Sequence, residues 1–248
     1  MKVLSIDLDY IMKPCIEIYH GLHWDENPMS RWENFYERSD FKEHDFYIDQ
    51  ANLLFCYETF MKSLSNCDNV SFGYEHDEIL YQLRHENKLD IINIDHHDDV
   101  FGEDFDGELE LEYRGLRDNN RVNEGNWVAW LKLKDKLKSY TWIHNENSRN
   151  LMQHNKANVD LLGADIYSCL LKQEYKFEDY NFDYIFVCLS PQYMPKAHWH
   201  YFTMFIMAYE TFTGKKVDYK SFSHRKFEYE IRHNQVTDEI LYKRPNGG

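Results

Sequence analysis

Proline and glycine are scarce in this chain, 5 and 10 among 248 residues. No Pro/Gly/Ser-rich linker divides it, and no low-complexity block or fixed-period repeat appears. The length therefore suits one large domain spanning 1–248. Long apolar runs are also missing. The longest, such as "YIFVCL" (184–189), fall far short of the roughly 20 residues a membrane-crossing helix needs. Cysteine is sparse and odd in number, with five residues at 15, 56, 67, 169 and 188 and no CxxC pair. That excludes an obvious disulfide framework and reads as reduced thiols in a cytoplasmic protein. The opening "MKVLSIDLDY" enters a strand pattern directly, without the layout of a signal peptide. Positive charge is in deficit: 28 Lys and Arg against 43 Asp and Glu, a net charge of −15. A nucleic-acid partner is disfavoured, because phosphates need a basic surface. A cationic substrate or partner fits through long-range attraction, and so does plain solubility. What the chain does have is apolar content, 43% with 17% aromatic, enough for a substantial core.

Along the chain, "KVLSIDLDY" reads as a first buried strand ending at Asp7 and Asp9. Residues 11–46 read as a long irregular loop, and 98–123 as a second. "YIDQANLLFCYETFMKSL" has helical apolar spacing, "VSFGYEH" reads as a short strand and "DEILYQLRHEN" as a helix. "KLDIINID" is a strand, "GNWVAWLKLKDKL" a helix, "SYTWIH" a strand and "VDLLGADIYSCLLKQ" a helix. "FDYIFVCLSP" is a strand and "AHWHYFTMFIMAYETFTG" a helix, which suits an oligomer interface as readily as a core face. The tail 240–248 reads as flexible. Strands alternating with helices predict an α/β three-layer sandwich around a mostly parallel sheet. In such sheets reactive groups gather at the carboxyl ends of the strands.

Three segments put chemistry at that edge. Residues two apart on a strand share a face, so "DLD" sends Asp7 and Asp9 one way. "DHHDD" (95–99) likewise sends Asp95, His97 and Asp99 one way, with His96 and Asp98 opposite. "GYEHDE" places His76 where a strand gives way to a helix. Each segment alone has an ordinary explanation, as a turn, a cap or a helix start. Together they assemble four carboxylates and two imidazoles, which would repel one another if buried without a cation. Such a set could hold two divalent ions if a carboxylate bridges them. The absence of thiolate disfavours structural zinc, and the carboxylate number exceeds what magnesium usually takes. Manganese suits the ligands best, with iron or zinc as alternatives. Two ions sharing one water can ionise it for attack on an electrophilic carbon.

These motifs resemble the ureohydrolase pattern of arginases and agmatinases. "GYEHDE" resembles that family's "GGDHS", "IDHHDD" its "DAHxD", and "SIDLDYIMKP" its "SxDxDxxDP". The last segment stands at the N-terminus here, a circularly permuted order similar to that of the peptide arginases. Those enzymes hydrolyse peptidyl arginine to peptidyl ornithine and urea with manganese, in bacterial clusters that mature ribosomally made peptides. The resemblance implies an arginase/deacetylase-like fold, two Mn2+ ions per chain and an arginine-containing precursor peptide as partner. It implies that Asp7 and Asp95 bridge, that Asp9 completes one ion, that His76 and Asp99 hold one and His97 the other. Asp99 would also accept a hydrogen bond from a bridging hydroxide that attacks the guanidinium carbon. "NEGNWVAWL" resembles the family's "SGNLHGMPV", which makes Glu124 and Asn126 candidate substrate contacts. "FDYIFVCLSP" resembles "LDLVEVNP", which adds Cys188 and Ser190.

Two departures stand out. The family's guanidinium-binding glutamate aligns with Cys188 and its proton-shuttling histidine with Val128. Glu124 is the first substitute for the missing carboxylate and joins Asp99 as a catalytic candidate, with Glu17 and Glu26 behind it. His20, His23 and His44 are substitutes for the shuttle. The acids Glu103, Asp104, Asp106, Glu108, Glu110 and Glu112 could wall a peptide cleft or form a solvated loop. Two other hydrolase classes compete: a phosphoesterase of the DHH type, suggested by "IDHH", and a deacetylase-like amide hydrolase with one metal. A metal-stabilised module that binds peptide without catalysis is the third alternative.

Overall fold

The pattern of apolar residues on three strands builds the core. On β1 (Lys2–Asp7), Val3 packs to one side of the sheet while Leu4 and Ile6 pack to the other. The computed structural model describes residues 1–13, 28–100, 122, 124–148 and 151–217. A 3-10 turn at Leu8–Ile11 follows β1, then β2 (Met12–Lys13), α1 (Pro28–Arg38), β3 (Tyr47–Ile48), α2 (Gln50–Leu64) and β4 (Val70–Gly73). A second 3-10 turn at His76–Ile79 leads into α3 (Leu80–Leu83), β5 (Leu89–Asp95), α4 (Trp127–Leu133) and β6 (Leu137–His144). The chain continues through α5 (Leu151–Leu162), β7 (Tyr167–Leu171), β8 (Tyr184–Cys188) and α6 (His200–Thr213).

Six strands form one parallel sheet in the order β4-β8-β1-β5-β6-β7. On β8, Ile185 and Val187 join the core of Leu4 and Ile6, while Tyr184 and Phe186 join that of Val3. The first core takes Trp32 of α1, Phe60 of α2 and Phe205 of α6; the second takes Leu80 of α3, Trp127 of α4 and Leu161 of α5. A strand buried on both faces needs a helical layer on each, because its apolar residues alternate sides. The result is the three-layer α/β sandwich expected from the sequence. Among the described residues no helix is long and apolar enough to cross a membrane, and the cysteines are free.

Local readings differ in four places. The stretch 11–46 is not irregular throughout, because 28–38 forms α1. Pro28 stands at its first position, where a missing N–H costs nothing. The Trp32 ring meets Phe46 edge-on at 5.2 Å, and Phe35 packs there too. "VDLLGADIYSCLLKQ" is not one helix: α5 stops at Leu162, Gly163 turns with φ 97°, and "YSCLL" becomes edge strand β7. Only glycine adopts that left-handed turn without strain. The helix expected after His76 is cut to one short turn, α3, with Lys88 at φ 54° reversing the chain into β5. Finally, β1 ends at Asp7, so Asp9 sits on a 3-10 turn instead of on the strand. The expected loop residues 14–27 and 101–121 and the tail 240–248 lie outside the described residues.

Candidate metal centre

The sheet order sets β4, β8, β1 and β5 side by side, so their carboxyl ends converge. Asp7 ends β1 and Asp95 ends β5; Gly73 ends β4 beside Cys188 of β8. From the turn after β4, His76 returns over this edge. Its Nδ1 lies 3.1 Å from Asp7 Oδ2, 3.0 Å from Asp95 Oδ2 and 2.6 Å from Asp99 Oδ2. A second group stands beside it, with His97 Nδ1 2.9 Å from Asp9 Oδ2 and 4.0 Å from Asp95 Oδ1. Asp95 thus offers one oxygen to each group, and it is fully buried. The six residues expected from the sequence are brought together. His96 and Asp98 turn away, towards Ser148 and Asn158, but β5 ends at Asp95, so a turn and not the expected strand alternation sorts residues 96–99.

The turns that deliver these groups are locally determined. Asp7 Oδ1 accepts the Asp9 N–H at 3.1 Å, and Asp95 Oδ1 accepts the His97 N–H at 2.9 Å. Short acids that bond two residues ahead are a standard way to leave a strand. The His96 N–H reaches Asp9 Oδ1 at 3.3 Å and ties the two turns together. Asp99 has φ 52° and Ser190 φ 47°, so two left-handed non-glycine residues sit at this edge. Such backbone persists where its surroundings hold it. Asp99 is held by α4: its Oδ2 accepts the Trp127 indole N–H at 2.6 Å, and its carbonyl accepts the Val128 N–H at 3.1 Å.

Sequence reasoning missed the supporting groups. Ser5 Oγ lies 2.6 Å from His76 Nε2, and Asn93 Nδ2 donates to Asp95 Oδ2 at 3.0 Å. Trp127 and Phe186 pack against the His76 ring, and Tyr193 packs against His97 with centroids 4.5 Å apart. A Cβ at Gly73 would fall 2.6 Å from the Phe186 ring, which explains the glycine. A signal for two of these was present. Ser5 and Asn93 are polar residues within apolar stretches of their strands, each two positions before a candidate ligand aspartate and therefore on its face.

Two of the proposed substrate contacts are placed differently. Cys188 is fully buried with its thiol 3.2 Å from the Tyr74 carbonyl, and the Ser190 hydroxyl donates to Asp7 Oδ2. Both are spent inside the edge, because a residue at the end of a central strand is covered on every side. Asn126 is buried at the start of α4, while Glu124 just before it is partly exposed. His44 is 83% exposed on the surface. Glu17, Glu26, His20, His23 and the acids 103–112 lie outside the described residues.

The electrostatics match a cation site. Burial, then Asp7 and Asp95, push the Asp9 carboxyl up to about 8. Burial opposes a charged His97, yet Asp9 and Asp95 raise it to about 10. Burial likewise opposes a charged His76, and Asp99, Asp7 and Asp95 overcome it. Asp99 is raised by burial and by Asp95, whereas the two histidines depress Asp95 against the effect of burial. Without a cation, protons must balance the carboxylates. The decisive detail is that three carboxylate oxygens crowd one buried nitrogen, His76 Nδ1, at 2.6–3.1 Å. One imidazole nitrogen cannot satisfy three carboxylate oxygens at once. A divalent ion can. Asp7, His76 and Asp95 form one group fit to hold a metal, and Asp9, Asp95 and His97 another.

Comparison with protein-family models gives no match, and comparisons with curated proteins and with solved structures give none either. The class that the fold and site define is an α/β sandwich with a buried Asp/His group able to hold metal at the carboxyl edge of its sheet.

Proposed function

We propose that this chain is a dinuclear manganese hydrolase acting on linear amidines. In this reading it converts peptidyl arginine to peptidyl ornithine and urea during cytoplasmic maturation of a ribosomally made peptide. The observation that carries the proposal is Asp95, whose two oxygens face His76 and His97 separately. A carboxylate shared in this way is suited to bridging two ions.

His76 and Asp99 with Asp7 would hold one ion; His97 and Asp9 would hold the other. Bound ions supply an ionised water near neutral pH and offset charge on the attacked group. The remaining work falls to side chains. Ser5 holds His76 Nε2, so Nδ1 faces the centre, the usual arrangement for a metal-ligating histidine. Trp127 fixes one oxygen of Asp99, and the Asp99 carboxylate accepts the proton of the attacking water and passes it to the leaving amine. The carbon–nitrogen bond to the side chain breaks, water supplies the oxygen of urea, and the peptide keeps an amine. The acidic surroundings suit a cationic substrate better than a phosphorylated one.

The test combines metal analysis with peptide mass. The chain is loaded with manganese, its metal content measured, and arginine peptides incubated with it. Two manganese ions per chain and a loss of about 42 Da per arginine, the mass of the CN2H2 unit removed by the water attack, are expected. Release of phosphate from a simple ester, or one ion with deacetylation, would replace this reading by a rival one.

A further inference from the structure

Next to the Asp/His groups lies a second set of acids that they do not use. Glu75 and Asp77 flank His76, and Glu124 comes from the turn before α4; one carboxylate oxygen of each lies within 4.8 Å of the others. Glu75 and Asp77 are each 4% exposed. Glu124 is partly exposed, so the set opens outwards on that side. The Gln192 amide, from the loop after β8, donates to Glu75 Oε2. Glu75 Oε1 is buried with no hydrogen-bond partner. An acceptor so placed, beside two further acids, calls for a cationic donor.

We propose that Glu75, Asp77 and Glu124 form the receptor for a planar organic cation, the guanidinium of a peptidyl arginine, beside the metal-ligating groups. This inference rests on the reading of the centre as one that acts on arginine side chains, and it supplies the cation-binding carboxylates that Cys188 cannot. A guanidinium presents five N–H donors in a rigid fork that pairs with carboxylates two at a time. A third metal suits the set less well. Calcium takes about six to eight oxygens and magnesium keeps to one or two carboxylates.

The position is favourable. Adjacent Cα atoms are about 3.8 Å apart, so Glu75 and Asp77 stay within a side chain's length of His76. Glu124 stands three residues before Trp127, which grips Asp99.

The test is calorimetric titration of the metal-free full chain with a short arginine peptide and with its citrulline counterpart, which is similar in shape but uncharged. Arginine is expected to bind at least tenfold more tightly. Glu124→Gln and Glu75→Gln should each weaken arginine binding about tenfold or more, while the manganese content of loaded Glu124→Gln matches that of the unaltered chain. Equal binding of the two peptides, or undiminished binding by Glu124→Gln at its partly exposed position, overturns the proposal. Loss of one stoichiometric manganese ion from Glu124→Gln also overturns it, in favour of a third metal. The two readings fail separately. Arginine binding that follows these expectations without urea release by the manganese-loaded chain sinks the hydrolase and leaves the receptor. Urea release with KM and binding unchanged in Glu124→Gln sinks the receptor alone.

Discussion

The indole N–H of Trp127 and the nearest imidazole nitrogen of His76 meet on the same atom, Asp99 Oδ2, each at 2.6 Å. Asp99 also sits at φ 52°, and its backbone carbonyl is bonded by the next residue of α4. Helix α4 is therefore a clamp on one carboxylate of the candidate metal centre. Trp127→Phe keeps an aromatic ring against His76 and removes only the donor. Loss of an outer hydrogen bond to a ligand typically costs roughly 10–100-fold in metal affinity. Retained manganese after dialysis, with unchanged circular dichroism, is the measurement; full retention would mean that the clamp is idle.

Asp95 and His97 separate the two groups. Asp95→Asn touches both, whereas His97→Asn removes a ligand from one. Metal analysis should find both ions weakened in Asp95→Asn and a single ion kept in His97→Asn. Equal stoichiometry in the two variants would contradict a shared carboxylate.

Ser5 faces the other nitrogen of His76 at 2.6 Å. Ser5→Ala leaves that buried nitrogen without a partner and frees the ring to adopt the wrong tautomer. A drop in manganese affinity of roughly tenfold, at the low end for outer partners, is expected. Ser5→Thr, which keeps the hydroxyl, should restore most of it, as followed by titration against a competing chelator.

Acidity should act on stability and on metal binding in opposite senses. Without metal, folding raises Asp9 from 3.8 to about 8 and His97 from 6.5 to about 10. The folded chain then binds more protons than the unfolded one, so stability declines as pH rises through that window. Asp9 loses its contribution as pH climbs to 8, and His97 loses its own on the way to 10. Manganese must displace those protons, so its affinity grows over the same range. Thermal unfolding of metal-free chain at pH 7 and pH 9.5 should show a falling Tm, and the gain in Tm on adding manganese should widen. A metal-free Tm that rises with pH would refute the proton-balanced cluster.

Much of this was written along the chain. Unbroken apolar runs identified the central strands, because a strand covered on both faces has no room for solvated side chains, and aspartates two apart marked where those strands end. The candidate ligands Asp7, Asp9, His76, Asp95, His97 and Asp99 were legible for that reason. The helix α1 and the edge strand β7 were not. Trp32 and Phe35 become a helix face only against Phe46, and "YSCLL" becomes a strand only because β6 offers it an open edge.

Distance decided the rest. Only the order of the sheet, with β5 and β8 on either side of β1, brings Asp95 and Ser190 to Asp7. Only the return of α4 over that edge sets Trp127 on Asp99 and Glu124 beside Glu75 and Asp77. Local sequence specifies which residues can leave a strand and on which face. Which of them share a cation depends on contacts between segments far apart in the chain, and those exist only once the layers have packed.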